Sequence, residues 1–223
     1  RSLHRERREK APWPVIALVG YTNAGKSTLC NRLTGASVMA EDLLFATLDP
    51  TMRAIRLSGV EKAILSDTVG FISDLPTQLV AAFRATLAEV TAADIILHIR
   101  DIANPDTEAQ KRQVLDVLVE LGVLDGEGGE PLIPIIEVWN KWDLVSSEQQ
   151  ALLNASMEQR SDEAIVPISA LSGEGCDHLL DVVGHALTAG SKAHSFDLPA
   201  SDGQRIAFLH ARGEVERDQR RCR

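Results

Sequence analysis

The 223 residues are 44% hydrophobic, enough for one α/β core and a small appendage but too few for two large domains. A formal net charge of -9 makes the body acidic, while residues 1–10 set five basic side chains against two acidic ones. Any contact with a phosphate backbone is thereby confined to local patches, this head and the arginines beyond Gly213. Cys30, Cys176 and Cys222 are too few and too scattered for a disulfide framework or a zinc cluster, no apolar run reaches the length of a membrane span, and the charged N-terminus is no signal sequence. These features lead to the expectation of a cytoplasmic monomer.

Strand and helix patterns alternate from Val15 onward, the mark of a sheet with helices on both faces. Val15–Val19 is a short apolar run of the kind buried on both sides, and it ends in a glycine. A helix is predicted from about Ser27, with Leu29 and Leu33 turned inward, and residues 36–50 show no sustained period and read as a loop. Met52–Leu57 and Lys62–Ser66 form a predicted hairpin across Ser58-Gly59. Leu79, Ala82, Phe83, Leu87 and Val90 recur at helical spacing. There follow a strand at Ile95–Ile99, a helix at Glu108–Leu121, an acidic glycine-rich connection at Asp125–Glu130, and a strand at Pro134–Trp139. The core closes with a helix at Ser147–Gln159, a strand at Ile165–Ile168 and a helix at Leu179–Leu187. Beyond Gly190 the chain turns polar, and the alternation of Arg205–His210 reads as a strand of an appended unit. The expected division is a basic linker at 1–12, a nucleotide-binding domain at 13–190 and a partial C-terminal appendage at 191–223.

Three constellations carry chemistry, each placed after a predicted strand. Gly20-Tyr21-Thr22-Asn23-Ala24-Gly25-Lys26-Ser27 lies between strand and helix, where glycines let backbone N–H groups face phosphate oxygens and a helix N-terminus favours negative charge. Lys26 is suited to bridge the terminal phosphates and the Ser27 hydroxyl to ligate Mg²⁺. Asp67-Thr68-Val69-Gly70 offers a carboxylate for a magnesium-bound water and a glycine N–H for the γ-phosphate. In Asn140-Lys141-Trp142-Asp143, Asp143 can accept both N1–H and the exocyclic amine of guanine, a donor pair that adenine lacks. Asn140 would tie neighbouring loops to the base edge, and the stem of Lys141 would cover the ring plane. Ser169-Ala170-Leu171 offers a backbone N–H to the guanine carbonyl oxygen.

These motifs in this order are those of translation-factor-type P-loop GTPases. Together with Leu44-Phe45-Ala46-Thr47-Leu48-Asp49-Pro50-Thr51, Asp67-Thr68-Val69-Gly70-Phe71 and Ala81–Leu87, they resemble the HflX family of ribosome-associated GTPases over about residues 1–190. The resemblance implies a Ras-like, mostly parallel six-stranded α/β sheet with helices on both faces, and a switch that binds GTP or GDP with Mg²⁺. It implies further that the switch acts on the large ribosomal subunit and its RNA, including the splitting of stalled ribosomes. Thr47 becomes the switch threonine that completes magnesium coordination beside Ser27 and Asp67, with Thr28 and Phe45 also at the nucleotide. Lys26, Thr47 and Gly70 carry catalysis. Asn23 occupies a position at which related GTPases help bind K⁺. Phe71 stands where many GTPases orient water with a glutamine, so slow intrinsic hydrolysis is expected until a partner orders the switch loops. Family members also carry a separate N-terminal domain that these residues are expected to lack.

Other residues read more plainly. His98, in an apolar strand, is a core or rim residue, Cys30 packs as a small hydrophobe, and Cys176 has no evident base partner. The rival functions are a signalling or transport switch controlling a protein partner, and an ATP-driven enzyme on the same loop, which Asp143 disfavours.

Overall fold

The computed structural model describes residues 13–35, 51–68, 70, 90–124, 131–189, 198–199 and 202–212. Its strands are β1 (Val15–Gly20), β2 (Thr51–Leu57), β3 (Val60–Asp67), β4 (Ile95–Asp101), β5 (Ile135–Asn140) and β6 (Ile165–Pro167). They form one sheet in the order β2-β3-β1-β4-β5-β6, in which only β2 runs antiparallel to its neighbour. The helices are α1 (Lys26–Thr34), α2 (Thr107–Glu120), α3 (Ser147–Gln159), α4 (Cys176–Thr188) and α5 (Gly203–Arg212). This is a six-stranded, mostly parallel α/β sheet with helices packed on both faces.

Alternation along β1 divides the core into its two layers. Ile16 and Leu18 join Leu29 and Cys30 of α1 and Leu179 and Val183 of α4 in one cluster. Ala17 and Val19 pack on the other face with Val114 and Leu118 of α2 and with Val90. Residues 16–20 are therefore all buried, which is why the strand reads as a continuous apolar run. The β2–β3 hairpin turns at Ser58-Gly59, where Gly59 has φ 76°, a left-handed conformation that costs glycine little. The capping box between Ser146 and Gln149 starts α3, of which no residue is fully buried.

Parallel pairing of β1 with both β3 and β4 puts the switch in strand order at β1, so the loops after β1 and β3 converge at the carboxyl edge of the sheet. The predicted strand at Arg205–His210 is instead the interior of α5. Asp202 decides the matter: its Oδ1 accepts from the Arg205 N–H at 3.3 Å, and its carboxylate pairs with the Arg205 side chain, capping a helical first turn. Gln204, Arg205, Ala207 and Leu209 are good helix formers, and their preference outweighs a short alternation. The predicted loop at 36–50, the connection at 125–130 and the helix at 79–90, apart from Val90, lie outside the described residues.

Candidate functional site

The end of β1 has to be glycine because a Cβ on Gly20 would collide with the carbonyl oxygen of Ile99 on β4. The loop then turns through Asn23 at φ 60° and Gly25 at φ 96°, both left-handed, and enters α1. A Cβ on Gly25 would strike the Asn140 side-chain amide. Lys26 opens α1 with its side chain folded back into the loop, where Nζ donates to the carbonyls of Gly20 (3.1 Å) and Tyr21 (2.9 Å). It is only 6% exposed, and burial pushes its ammonium down to about 8 against the upward pull of the Asp67 carboxylate.

Asp67 ends β3, buried, in register with Leu18 of β1. The next residue, Thr68, donates from its hydroxyl to the Leu18 carbonyl and so holds the outgoing chain against β1. Gly70 consequently lies against the loop, where a Cβ would stand 3.1 Å from Lys26 Nζ and 2.8 Å from Thr22 Cγ2. Only a glycine lets the two segments come this close.

Asn140, at the end of β5, is 2% exposed and bonds to both flanking loops. Its Nδ2 donates to the Ala24 carbonyl at 2.8 Å, and its Oδ1 accepts the Ala170 N–H at 2.9 Å. Lys141 follows at φ 63°, its Nζ 2.7 Å from Asp101 Oδ2 at the end of β4. Asp143 is exposed on a short 3₁₀ turn, Trp142–Leu144. That turn is anchored by Trp142, whose N–H donates to Ile168 O at 3.0 Å and whose ring stacks on Trp139 at 6.3 Å. Ser169 is fully buried; its Oγ accepts the Ser172 N–H at 3.1 Å and its carbonyl accepts from Gly173 at 2.8 Å, shaping the loop that exposes Leu171.

The structure thus brings together Gly20, Asn23, Ala24, Gly25, Lys26, Ser27, Asp67 and Gly70 at one end, and Asn140, Lys141, Asp143, Ser169, Ala170 and Leu171 at the other, with Thr28 one residue further along α1. Phe45, Thr47 and Phe71 lie outside the described residues. Sequence reasoning missed Asp101, the ionic partner of Lys141, and Arg32, which grips the carbonyls of Ala170 and Leu171. The separation of 40 residues or more in each pair leaves no local signal for either. A buried ionic group on β4 and β5 was missed as well. Arg100 pairs there with Glu137, which also accepts from Lys111 at 2.6 Å, Trp139 Nε1 at 2.6 Å and Arg160 at 3.0 Å. Its signal was legible, since an arginine and a glutamate interrupt two adjacent apolar strands. His98 is buried, and burial pushes it down to about 3, so it stays neutral. Burial also raises Cys30, to about 11, and Cys176, which excludes a resting thiolate at either. No group of three or more metal-ligating His, Cys, Asp or Glu side chains occurs among the described residues, and no helix among them is long and apolar enough to cross a membrane.

Residues 15–141 match the family described as 50S ribosome-binding GTPases. GTPase HflX of Magnetococcus marinus is 45% identical over 96% of this chain and 47% of its own length, and GTPase HflX of Escherichia coli 37% identical over 96% and 48%. A crystal structure of a GTP-binding protein from Sulfolobus solfataricus in complex with GDP superposes with a TM-score of 0.60 at 30% identity, covering 80% of this chain and 53% of that one. The chain spans about half the length of the curated relatives it matches. With its sheet order, its phosphate-loop geometry and these likenesses in agreement, the chain belongs to the 50S ribosome-binding GTPases and, among them, to the HflX family.

Proposed function

We propose that the chain binds GTP with Mg²⁺, hydrolyses it slowly, and uses the change of nucleotide as a switch on the large ribosomal subunit. The observation that carries the reading is the Asn140 amide, which ties the loop around Lys26 to the loop around Ala170 and so sets a triphosphate grip and a base reader at a fixed spacing. Loop N–H groups and the Lys26 ammonium receive the β- and γ-phosphates, and the Gly70 N–H receives the γ-phosphate. The oxygen donors at Ser27 and Asp67, the latter through water, suit Mg²⁺. The buried Asp67 carboxylate already interacts with the Lys26 charge, as a site for a cation and phosphates together requires. Bound there, with Thr47 as a further ligand, the ion would neutralise charge on the phosphates. The rest of the chemistry is positioning: the loop holds the phosphates in line and withholds water until the switch segments are ordered. The resemblance at Asn23 supports a further element of the proposal, a K⁺ ion beside the phosphates, which equal turnover in potassium and sodium buffers would refute.

At the base end Asp143 accepts two guanine donors, the Lys141 stem covers the ring and the Leu171 N–H meets the carbonyl oxygen, the Ala170 N–H being held by Asn140. The ribosomal half of the proposal is supported by membership of the 50S ribosome-binding GTPases and by the HflX relatives. Equilibrium titration tests the nucleotide half: GDP and GTP are expected to bind and ATP to compete poorly. Asp143→Asn should lose roughly 10- to 100-fold in guanine affinity, as expected for hydrogen bonds to a charged acceptor. Equal affinity for GTP and ATP would refute guanine recognition. Co-sedimentation with large ribosomal subunits in a non-hydrolysable GTP analogue tests the other half, and absence of nucleotide-dependent pelleting would favour a switch on a protein partner.

A further inference from the structure

The base-reading loop is held from beneath by a residue that no nucleotide motif contains. Arg32 lies on α1, in the second turn beyond Lys26, and its guanidinium crosses to the loop after β6. There Nε donates to the Ala170 carbonyl at 3.1 Å and an Nη donates to the Leu171 carbonyl. Gly173, at φ 96°, closes the same turn, and a Cβ on it would lie 3.4 Å from an Arg32 nitrogen.

Peptide planarity gives this clamp a direction. In a trans peptide the C=O of one residue and the N–H of the next point opposite ways. Fixing the Ala170 carbonyl on Arg32 therefore turns the Leu171 N–H away from α1. Fixing the Leu171 carbonyl likewise orients the Ser172 N–H, which donates to Ser169 Oγ at 3.1 Å. The Ala170 N–H is taken by Asn140 Oδ1. Three successive amide directions are thus set, and that of Leu171 is set by Arg32.

We infer that Arg32 is a specificity-determining positioning residue: through the Ala170 and Leu171 carbonyls it aims the Leu171 N–H at the carbonyl oxygen of the purine. The inference rests on the guanine reading above and adds to it a dependence of one contact on one side chain. α1 then serves both ends of the ligand, with Lys26 and Ser27 at the phosphates and Arg32 behind the base.

The test is a set of titrations of the full 223-residue chain, and of Arg32→Ala and Arg32→Lys, with GDP, 6-thioguanosine diphosphate and inosine diphosphate. Sulfur in place of the carbonyl oxygen is a weaker acceptor, whereas inosine lacks only the exocyclic amine read by Asp143. Arg32→Ala should shrink the preference for GDP over the thio analogue about fivefold, the worth of one ordinary hydrogen bond, and leave the preference over inosine diphosphate unchanged. Arg32→Lys, which keeps a single cationic group, should fall between. It carries the test if the alanine variant does not fold, and an unaltered thio preference in it then overturns the proposal. Weakening of all three ligands by one factor would mean that Arg32 supports the loop without aiming it, which also overturns the proposal. If the unsubstituted chain, titrated also with ADP as a control, fails to prefer GDP over it, the guanine reading itself falls, and the proposal with it.

Discussion

Lys26 shows how a functional site is stored at a cost to the fold. An ammonium 6% exposed, satisfied by two carbonyls and attracted by one carboxylate, still sits at about 8, because desolvation outweighs these partners. The folded chain therefore holds this proton less tightly than the unfolded chain, whose lysine titrates at the ordinary 10.5. Below pH 8 both states are protonated and the cost of burying the charge is full, on the order of 3 kcal/mol. Between pH 8 and 10.5 the unfolded chain binds the extra proton, so stability rises with pH. Lys26→Met should come out more stable in urea unfolding of nucleotide-free protein at pH 7, its advantage narrowing as pH climbs through that window, while nucleotide binding is lost. A stability difference independent of pH would show that desolvation at Lys26 is not the cause. The grouping of these residues at one edge was legible from the chain because, under the proposed reading, phosphate, magnesium and guanine each demand particular atoms at set places after strands. Asp101 and Arg32 were not, because a carboxylate after an apolar strand or an arginine on a helix is ordinary until the fold brings a partner across.

At the scale of elements, β4 and β5 carry charge through the middle of the sheet. Burial alone would raise the Glu137 carboxyl, yet the charge of Arg100 and the hydrogen bonds of Lys111 and Trp139 hold it down at about 2. A carboxylate lowered from 4.5 lends stability above its unfolded value and loses it as pH falls from about 4.5 toward 2. His98, kept neutral by burial while its unfolded counterpart titrates at 6.5, weakens the fold in the same direction as the medium acidifies. Glu137→Gln leaves the 2%-exposed Arg100 side chain with only Glu108, 72% exposed, as counter-charge and should cost roughly 3 kcal/mol at pH 7, the lower end for a broken buried pair. It should also flatten the acid limb, which denaturant titrations at pH 7 and pH 3 would reveal. A loss at pH 7 below about 1 kcal/mol would mean that the pair only breaks even against its own desolvation. Legibility here follows the strength of the pattern. α2 and α3 match their predicted spans to within a residue, α2 through the buried pair Val114 and Leu118 four residues apart and α3 through the capping box at Ser146 and Gln149. α5 was misread because a few alternating residues cannot tell a strand from an amphipathic turn, and the capping by Asp202 decided it.

For the whole molecule, the alternation of apolar runs and helical periods was enough to read the sheet, its helix layers and the edge where the motifs gather, since a strand buried on both faces leaves an unbroken apolar signature. Asn140 was legible as a tie between loops, but no local pattern could supply the second cross-link of that edge, in which Arg32 meets Ala170 across 138 residues of sequence.

The Asn140 amide has a consequence of its own. A side chain bonded at once to Ala24 and to Ala170 makes the order of either loop a condition for the order of the other. Under the proposed reading, pyrophosphate and guanosine offered as separate fragments should each tighten the other's binding, by the same factor in both directions, as thermodynamic reciprocity requires. In Asn140→Ala that cooperativity should vanish, leaving two independent weak sites, and paired calorimetric titrations would measure it. Intact nucleotide would then be held as a chelate by a receptor that has itself become loose.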